Sequence, residues 1–185
     1  MMTMSRKDTD KLIMTEFGKL YEKRTITQVS VKEIVANCHI NRTTFYKHFY
    51  DVYDVRDQME NQFIDNFTNT IKENFQAGFS IENVSYYFVK ILESNDPYFN
   101  VLLKSPDSYH TIDRLTEKLE SFFRAQMAIH ENEMTDYILN FYISGLCSML
   151  IERTRKGKKM SSEQLGGLLE TILTKGMYVT LEQYN

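Results

Sequence analysis

The sequence predicts an all-α protein, with a head of three short helices joined by a long helix to a larger helical bundle. Three observations predict it. Chain breakers are scarce, 7 Gly and 2 Pro in 185 residues, which leaves long stretches free to coil. Apolar residues recur at spacings of three and four, and no stretch alternates as a half-buried strand does. Helix-start signals recur as complete sets, a capping residue with an apolar staple pair around it.

Ile13, Phe17, Leu20 and Tyr21 share one face of the first helix, opposite Lys11, Glu22 and Lys23. It is expected to end near Lys23–Arg24, where cations suit the helix dipole. Ser30 and Glu33 form a capping box, with Val29 and Ile34 as its staple, so a second, short helix should run from Val31 to about Asn37. Such a cap contributes about 1 kcal/mol, enough to fix where a short helix begins. Asn41 caps a third helix, with Ile40 and Phe45 as staple and Phe45 and Phe49 on the buried side. Asp51 opens a long fourth helix, whose stripe Val52, Val55, Met59, Phe63, Phe67, Ile71 and Phe75 continues to Gly78. The domain boundary is placed here, with residues 1–50 as head and 51–185 as body.

The body repeats the helical pattern. One helix carries Val84 to Leu92, and a short one opens at Pro97 and closes at Ser105-Pro106. Another carries Ile112 to Met127. Thr135 to Lys156 is apolar on most of its circumference and is expected to be central and buried, with Gly157 as its stop. Ser161 and Gln164 cap a last helix that runs through Gly176.

Charge is unevenly spread. Residues 1–50 carry a net +4 and residues 51–185 a net −7, a basic head on an acidic body, which points to nucleic acid as partner of the head alone. The longest uncharged run, Tyr137 to Ile151, falls short of the ~20 residues a membrane span needs. The first residues lack the apolar core of a signal peptide, and Cys38 and Cys147 make no disulfide framework. A cytoplasmic protein with no membrane partner is expected.

The second and third helices, three residues apart, have helix-turn-helix spacing. With Phe45 and Phe49 turned inward, Thr43 and Lys47 point outward, Arg42 and Tyr46 fall on one flank and Thr44 and His48 on the other. Arg can read guanine bidentately, worth about 1–3 kcal/mol of discrimination, while Thr, Tyr and Lys suit phosphate and sugar. A solvated helix face would look similar. The candidate DNA-binding residues are Lys32, Asn41, Arg42, Thr43, Thr44, Tyr46, Lys47 and His48.

The segment Thr27 to Phe49, ending Ile40-Asn41-Arg42-Thr43-Thr44-Phe45-Tyr46-Lys47-His48-Phe49, resembles the DNA-binding domain of TetR-family transcriptional regulators. Thr44, Phe45, Tyr46, His48 and Phe49 match that family's pattern. Three departures stand out: His39 where the turn usually has Gly, Thr43 where Gly or Pro is common, and Val52 where a phosphate-gripping Lys often opens the fourth helix. The resemblance implies a body that dimerises and holds an effector pocket. It places the dimer interface on the last two helices, at Gly145, Met149, Leu165, Leu169, Ile172 and Gly176, although packing within one chain would also suit these residues. Dense aromatics suggest Phe63, Phe67, Tyr87, Phe99, Phe123 and Tyr142 as pocket lining. A filled core would use the same residue types.

No catalytic constellation is present, and no enzyme activity is expected. Cys38 belongs to a buried stripe, so with His39 and His48 it makes no metal site, and Met134 stands where the second His of a zinc-protease motif begun by His130-Glu131 should be. No cofactor is expected. The basic run Arg153, Arg155, Lys156, Lys158 and Lys159 reads as a helix C-terminus and solvated loop. The expected function is a homodimeric, sequence-specific regulator that binds a double-stranded operator and, as a repressor, is released by a small-molecule effector. An activator or a protein-controlled regulator of the same fold stands beside this reading, as does a helical interaction module that binds no DNA.

Overall fold

The computed structural model describes residues 5–75, 89–90, 96–157 and 160–177. The described residues contain α1 (Arg6–Tyr21), a 3-10 turn (Ile26–Gln28), α2 (Val31–Asn37), α3 (Arg42–Tyr46), α4 (Val52–Phe75), α5 (Phe99–Lys104), α6 (Ser108–Met127), α7 (Glu133–Lys156) and α8 (Ser162–Ile172). α8 runs on into a π-helical turn, Leu173–Met177. No strand occurs among the described residues. The expected helix over Val84 to Leu92, the end of the fourth helix at Gly78, and Tyr87 lie outside them.

Caps explain most of the boundaries. Ser5–Asp8, Ser30–Glu33, Asn132–Thr135 and Ser161–Gln164 close reciprocal capping boxes. Asp96 takes the place expected of Pro97: its carboxylate accepts from the N–H groups of Tyr98 and Phe99 at 2.8 and 3.2 Å. α1 ends at Tyr21, two residues before the expected cations, because the chain turns where Glu22 donates to Gly18 and Lys23 to Leu20.

The chain falls into two compact units, residues 1–63 with 96–111, and residues 64–95 with 112–185. This division differs from a cut at residue 50: the first unit takes in the start of α4 and the segment around α5. Its core holds Ile13, Phe17, Tyr21, Ile34, Phe45, Phe49, Val55, Met59, Phe63, Leu102 and Leu103. Polar links also hold α5 and the start of α6 in this unit. Asp107 accepts from the Ile26 N–H at 2.6 Å. Glu60, fully buried, accepts from the Thr111 hydroxyl at 2.7 Å and lies 3.1 Å from His110 Nδ1.

The second unit is built around α6, α7 and α8, with Leu115, Leu119, Leu139, Ile143, Leu150, Leu165 and Leu169 in its core. Thr116 donates to Cys147 Sγ at 3.8 Å, and Arg124 pairs with Asp136. α7 departs from expectation. It buries Thr135, Leu139, Ile143, Cys147 and Leu150, but Tyr137 and Phe141 are 68% and 72% exposed. Its apolar circumference therefore serves two faces, one in the core and one exposed. By length and composition α7 is also long and apolar enough to cross a membrane, which the uncharged run alone did not suggest. Charged first and last turns bracket it.

Candidate nucleic-acid interface

α3 is only five residues long, too short to be stable by itself. It is fixed from three sides. Asn41 Oδ1 accepts from the Thr44 N–H at 2.7 Å and from the Thr44 hydroxyl at 3.0 Å, closing the first turn. Phe45 is fully buried, and its ring meets Phe49 at 5.9 Å between centroids. Just past the helix, His48 Nδ1 lies 2.6 Å from Asp10 Oδ1 on α1.

The turn from α2 to α3 needs one residue at positive φ. His39 supplies it, at φ 53°, so a strained side chain stands where a Gly was expected. The start of α2 is braced by Arg24, which donates to Glu33 at 2.8 Å. The Arg24 guanidinium, with the Ser30 hydroxyl behind it, holds the Glu33 carboxyl below its usual range.

This anchoring leaves one surface for a ligand. Lys32, Asn41, Arg42, Thr43, Tyr46 and Lys47 are exposed, Tyr46 at 57% with its ring edge-on to Phe45. Thr44 and His48 are half-buried and spent on structure, Thr44 in the cap and His48 on Asp10. Three cations and three hydrogen-bonding side chains thus surround a helix whose back is clamped. Such a surface can place donors on phosphates and on base edges together.

The sequence reading gave no DNA-facing role to Tyr50, placed only beside the Asp51 cap, or to Tyr53. Val52, where a lysine was looked for, is buried, while Tyr50 beside it is 83% exposed. Tyr53 carries the Arg56 guanidinium 5.6 Å above its ring. The available signal was that both tyrosines fall off the Val52–Val55–Met59 stripe.

The other expected site residues fall in both compact units. In the first unit, Phe63 and Phe99 are buried and meet edge to face at 5.9 Å. In the second, Phe67 is buried, Phe123 packs on Phe122, and Tyr142 on Phe141. Leu165 and Leu169 are buried in their own chain, and a side chain at Gly176 would run into the Tyr142 hydroxyl. Gly145 faces open space, and Ile172 is 40% exposed. Met149 and Leu165 line a groove of about 390 Å³ between the end of α7 and the start of α8, with Arg153, Lys156, Met160 and Leu168 also on its wall.

No protein-family model and no curated protein matches the sequence. Solved structures do match. A TetR-family transcriptional regulator from Syntrophomonas wolfei is similar with a TM-score of 0.74 at 14% identity, covering 94% of this chain and 97% of that one. A TetR transcriptional regulator from Streptococcus agalactiae gives 0.65 at 20% identity, covering 91% and 94%. The dihydroxyacetone kinase operon activator DhaS gives 0.55 at 18% identity, covering 96% and 98%. The chain therefore has the fold of TetR-family regulators over almost its whole length.

Proposed function

We propose that this chain is a TetR-family transcriptional regulator, a cytoplasmic homodimer that binds an operator sequence-specifically through α2 and α3. The observation that carries this reading is the division of labour around α3. Phe45 and Phe49 clamp its back, while Lys32, Arg42 and Lys47 stand exposed, with no ion pair among the described residues. Cations left unpaired on one small surface suit a polyanion, because each phosphate they neutralise releases condensed counterions. Arg42 is assigned to a base edge, Lys32, Lys47 and Tyr46 to phosphates, and Thr43 to either. Asn41, Thr44 and His48 hold the helix that presents them.

One α3 reads only a few base pairs, so a dimer is part of the mechanism. Once one half-site is bound, the second contact is intramolecular and gains the avidity of linked sites. Repression relieved by a small molecule requires the effector to favour a state that fits the operator less well, with a typical coupling of about 1–3 kcal/mol. Activation has its own support, because one of the similar structures is an operon activator.

The test is fluorescence anisotropy with DNA flanking the gene. Binding is expected to fall steeply with salt and to be lost in Arg42→Ala. Binding that ignores salt, or none to any flanking segment, would favour an interaction module.

A further inference from the structure

Four contacts join residues 98–107 to residues 14–26 within the first unit. Tyr98 donates to Met14 Sδ at 3.2 Å. Gly18 lets Val101 so close that an added side-chain carbon would lie 3.4 Å from its methyl groups. Lys104 and Glu22 pair at 3.4 Å, and Asp107 accepts from the Ile26 N–H at 2.6 Å. We propose that Asp107 is a positioning residue for operator binding: as the last rung of this seam, it sets where α2 begins and so where Lys32 and α3 meet the DNA. This rests on the DNA-binding reading above and names a control point of that surface far from it in sequence.

The seam follows from spacing. Steps of four from Met14 to Ile26 and steps of three from Tyr98 to Asp107 each keep to one helix face. Both numbers rise together, so the two stretches run side by side in the same direction. α1 ends at Tyr21 and α5 at Lys104. The first three rungs fasten α5 to α1 and its cap, Glu22, whereas the fourth reaches past both helices into the motif that carries the DNA surface. Ile26 opens the 3-10 turn, where an N–H has no partner within the turn itself. Its carbonyl accepts from the Val29 N–H at 3.1 Å, and Ser30, next in the chain, caps α2. One short turn thus separates the Asp107 contact from the start of the helix that presents Lys32.

Asp107 can act as a strut because it is itself held. Its N–H donates to Ser105 Oγ at 3.1 Å, and its carbonyl accepts from the His110 N–H at 3.0 Å. Next to His110, the Thr111 hydroxyl donates to Glu60 on α4 at 2.7 Å. Ser105, Thr111 and Glu60 are all fully buried, so the turn that carries Asp107 is moored to α4. Its carboxylate is therefore a fixed acceptor, and a hydrogen bond to an ionised acceptor is of the stronger kind. Removing it leaves a half-buried N–H unsatisfied and the start of α2 free to shift. An acid would repel phosphate, so its effect on binding runs through α2 and not through the DNA.

The experiment measures binding to DNA flanking the gene across a salt series, in the full chain, with each variant shown folded by circular dichroism. Asp107→Ala is expected to weaken binding on the order of tenfold, because apparent affinity scales with the fraction of molecules in the competent arrangement. The salt slope should stay unchanged. Asp107→Asn, whose amide oxygen still accepts, should recover most of that loss. Asp107→Glu, which keeps the charge but lengthens the strut, should fall between them, and it decides the matter if Asp107→Ala does not fold. Amide exchange at Ile26 should quicken in Asp107→Ala and stay slow in Asp107→Asn. Tyr98→Phe breaks a rung on α1 and should lower the unfolding midpoint while leaving DNA binding intact, whereas a purely structural seam would make both positions behave alike. Wild-type affinity in a folded Asp107→Ala or Asp107→Glu, or an equal loss in Tyr98→Phe, overturns the proposal and leaves the DNA-binding reading standing. A wild type that binds no flanking DNA overturns both.

Discussion

Asp10 on α1 and His48 beyond α3 lie 2.6 Å apart, and the imidazole is only 11% exposed. His48 therefore ties the recognition surface to the first helix. His48→Ala and Asp10→Ala are expected to lower stability by about 1–2 kcal/mol each, with strong coupling in the double mutant. The salt dependence of DNA binding separates this role from a phosphate contact. His48→Ala should leave the slope of log K against log salt unchanged, while Lys47→Ala should reduce it by about 0.9. Equal slope changes would place His48 on the DNA.

Two backbone positions make opposite predictions. His39 holds φ 53° without being Gly, which costs roughly 1–2 kcal/mol, so His39→Gly is expected to raise the melting temperature by a few degrees. Gly157 caps α7 at φ 77°, ψ 161°, a region open essentially to Gly alone. Gly157→Ala should therefore destabilise by about 1–3 kcal/mol. Thermal melts of both variants check the pair, and a stabilised Gly157→Ala would contradict this account of the cap.

Much of this fold was legible because its signals are local. Ser30 with Glu33 and Ser161 with Gln164 announce helix starts within four residues, and the structure closes both boxes. The inward turn of Phe45 and Phe49 follows from spacing alone, and so does the outward surface of α3. What spacing cannot give is the partner across the chain. Asp10 lies 38 residues from His48, and Asp107 lies 81 from Ile26. Nor does an apolar helix say which of two greasy faces meets its own core. α7 buries Leu139 and Ile143 and exposes Tyr137 and Phe141, while α8 buries Leu165 and Leu169 and exposes Leu168 and Ile172.

Gly176 illustrates the same ambiguity. Its place beside Tyr142 within one chain means that a side chain there strains intramolecular packing first. Gly176→Leu should lower stability by about 1–3 kcal/mol. Shortening the obstacle with Tyr142→Phe should recover part of that loss. Urea titrations of the single and double variants measure the coupling. A stable Gly176→Leu monomer would instead assign the glycine to contact between chains.

Alkaline pH tests the packing of three buried groups in different places. Burial pushes the Tyr21 phenol up to about 12, against a smaller opposing effect of the nearby Ser105. It pushes the Cys38 and Cys147 thiols up to about 11 each. Raised values favour the protonated, folded form, so the stability these groups contribute is complete below their unfolded values, near 9 for the thiols and 10 for the phenol. It is lost as pH climbs through 11 and 12, because unfolding then releases protons the native state still holds. The urea midpoint is expected to fall steadily above pH 9, and Tyr21→Phe should flatten the part of that fall above pH 10. At pH 8 both thiols should resist alkylation in the folded chain and react promptly once it is unfolded, since only the thiolate is nucleophilic. Rapid alkylation of Cys147 under native conditions would mean that the α6–α7 contact at Thr116 opens far more readily than its burial implies.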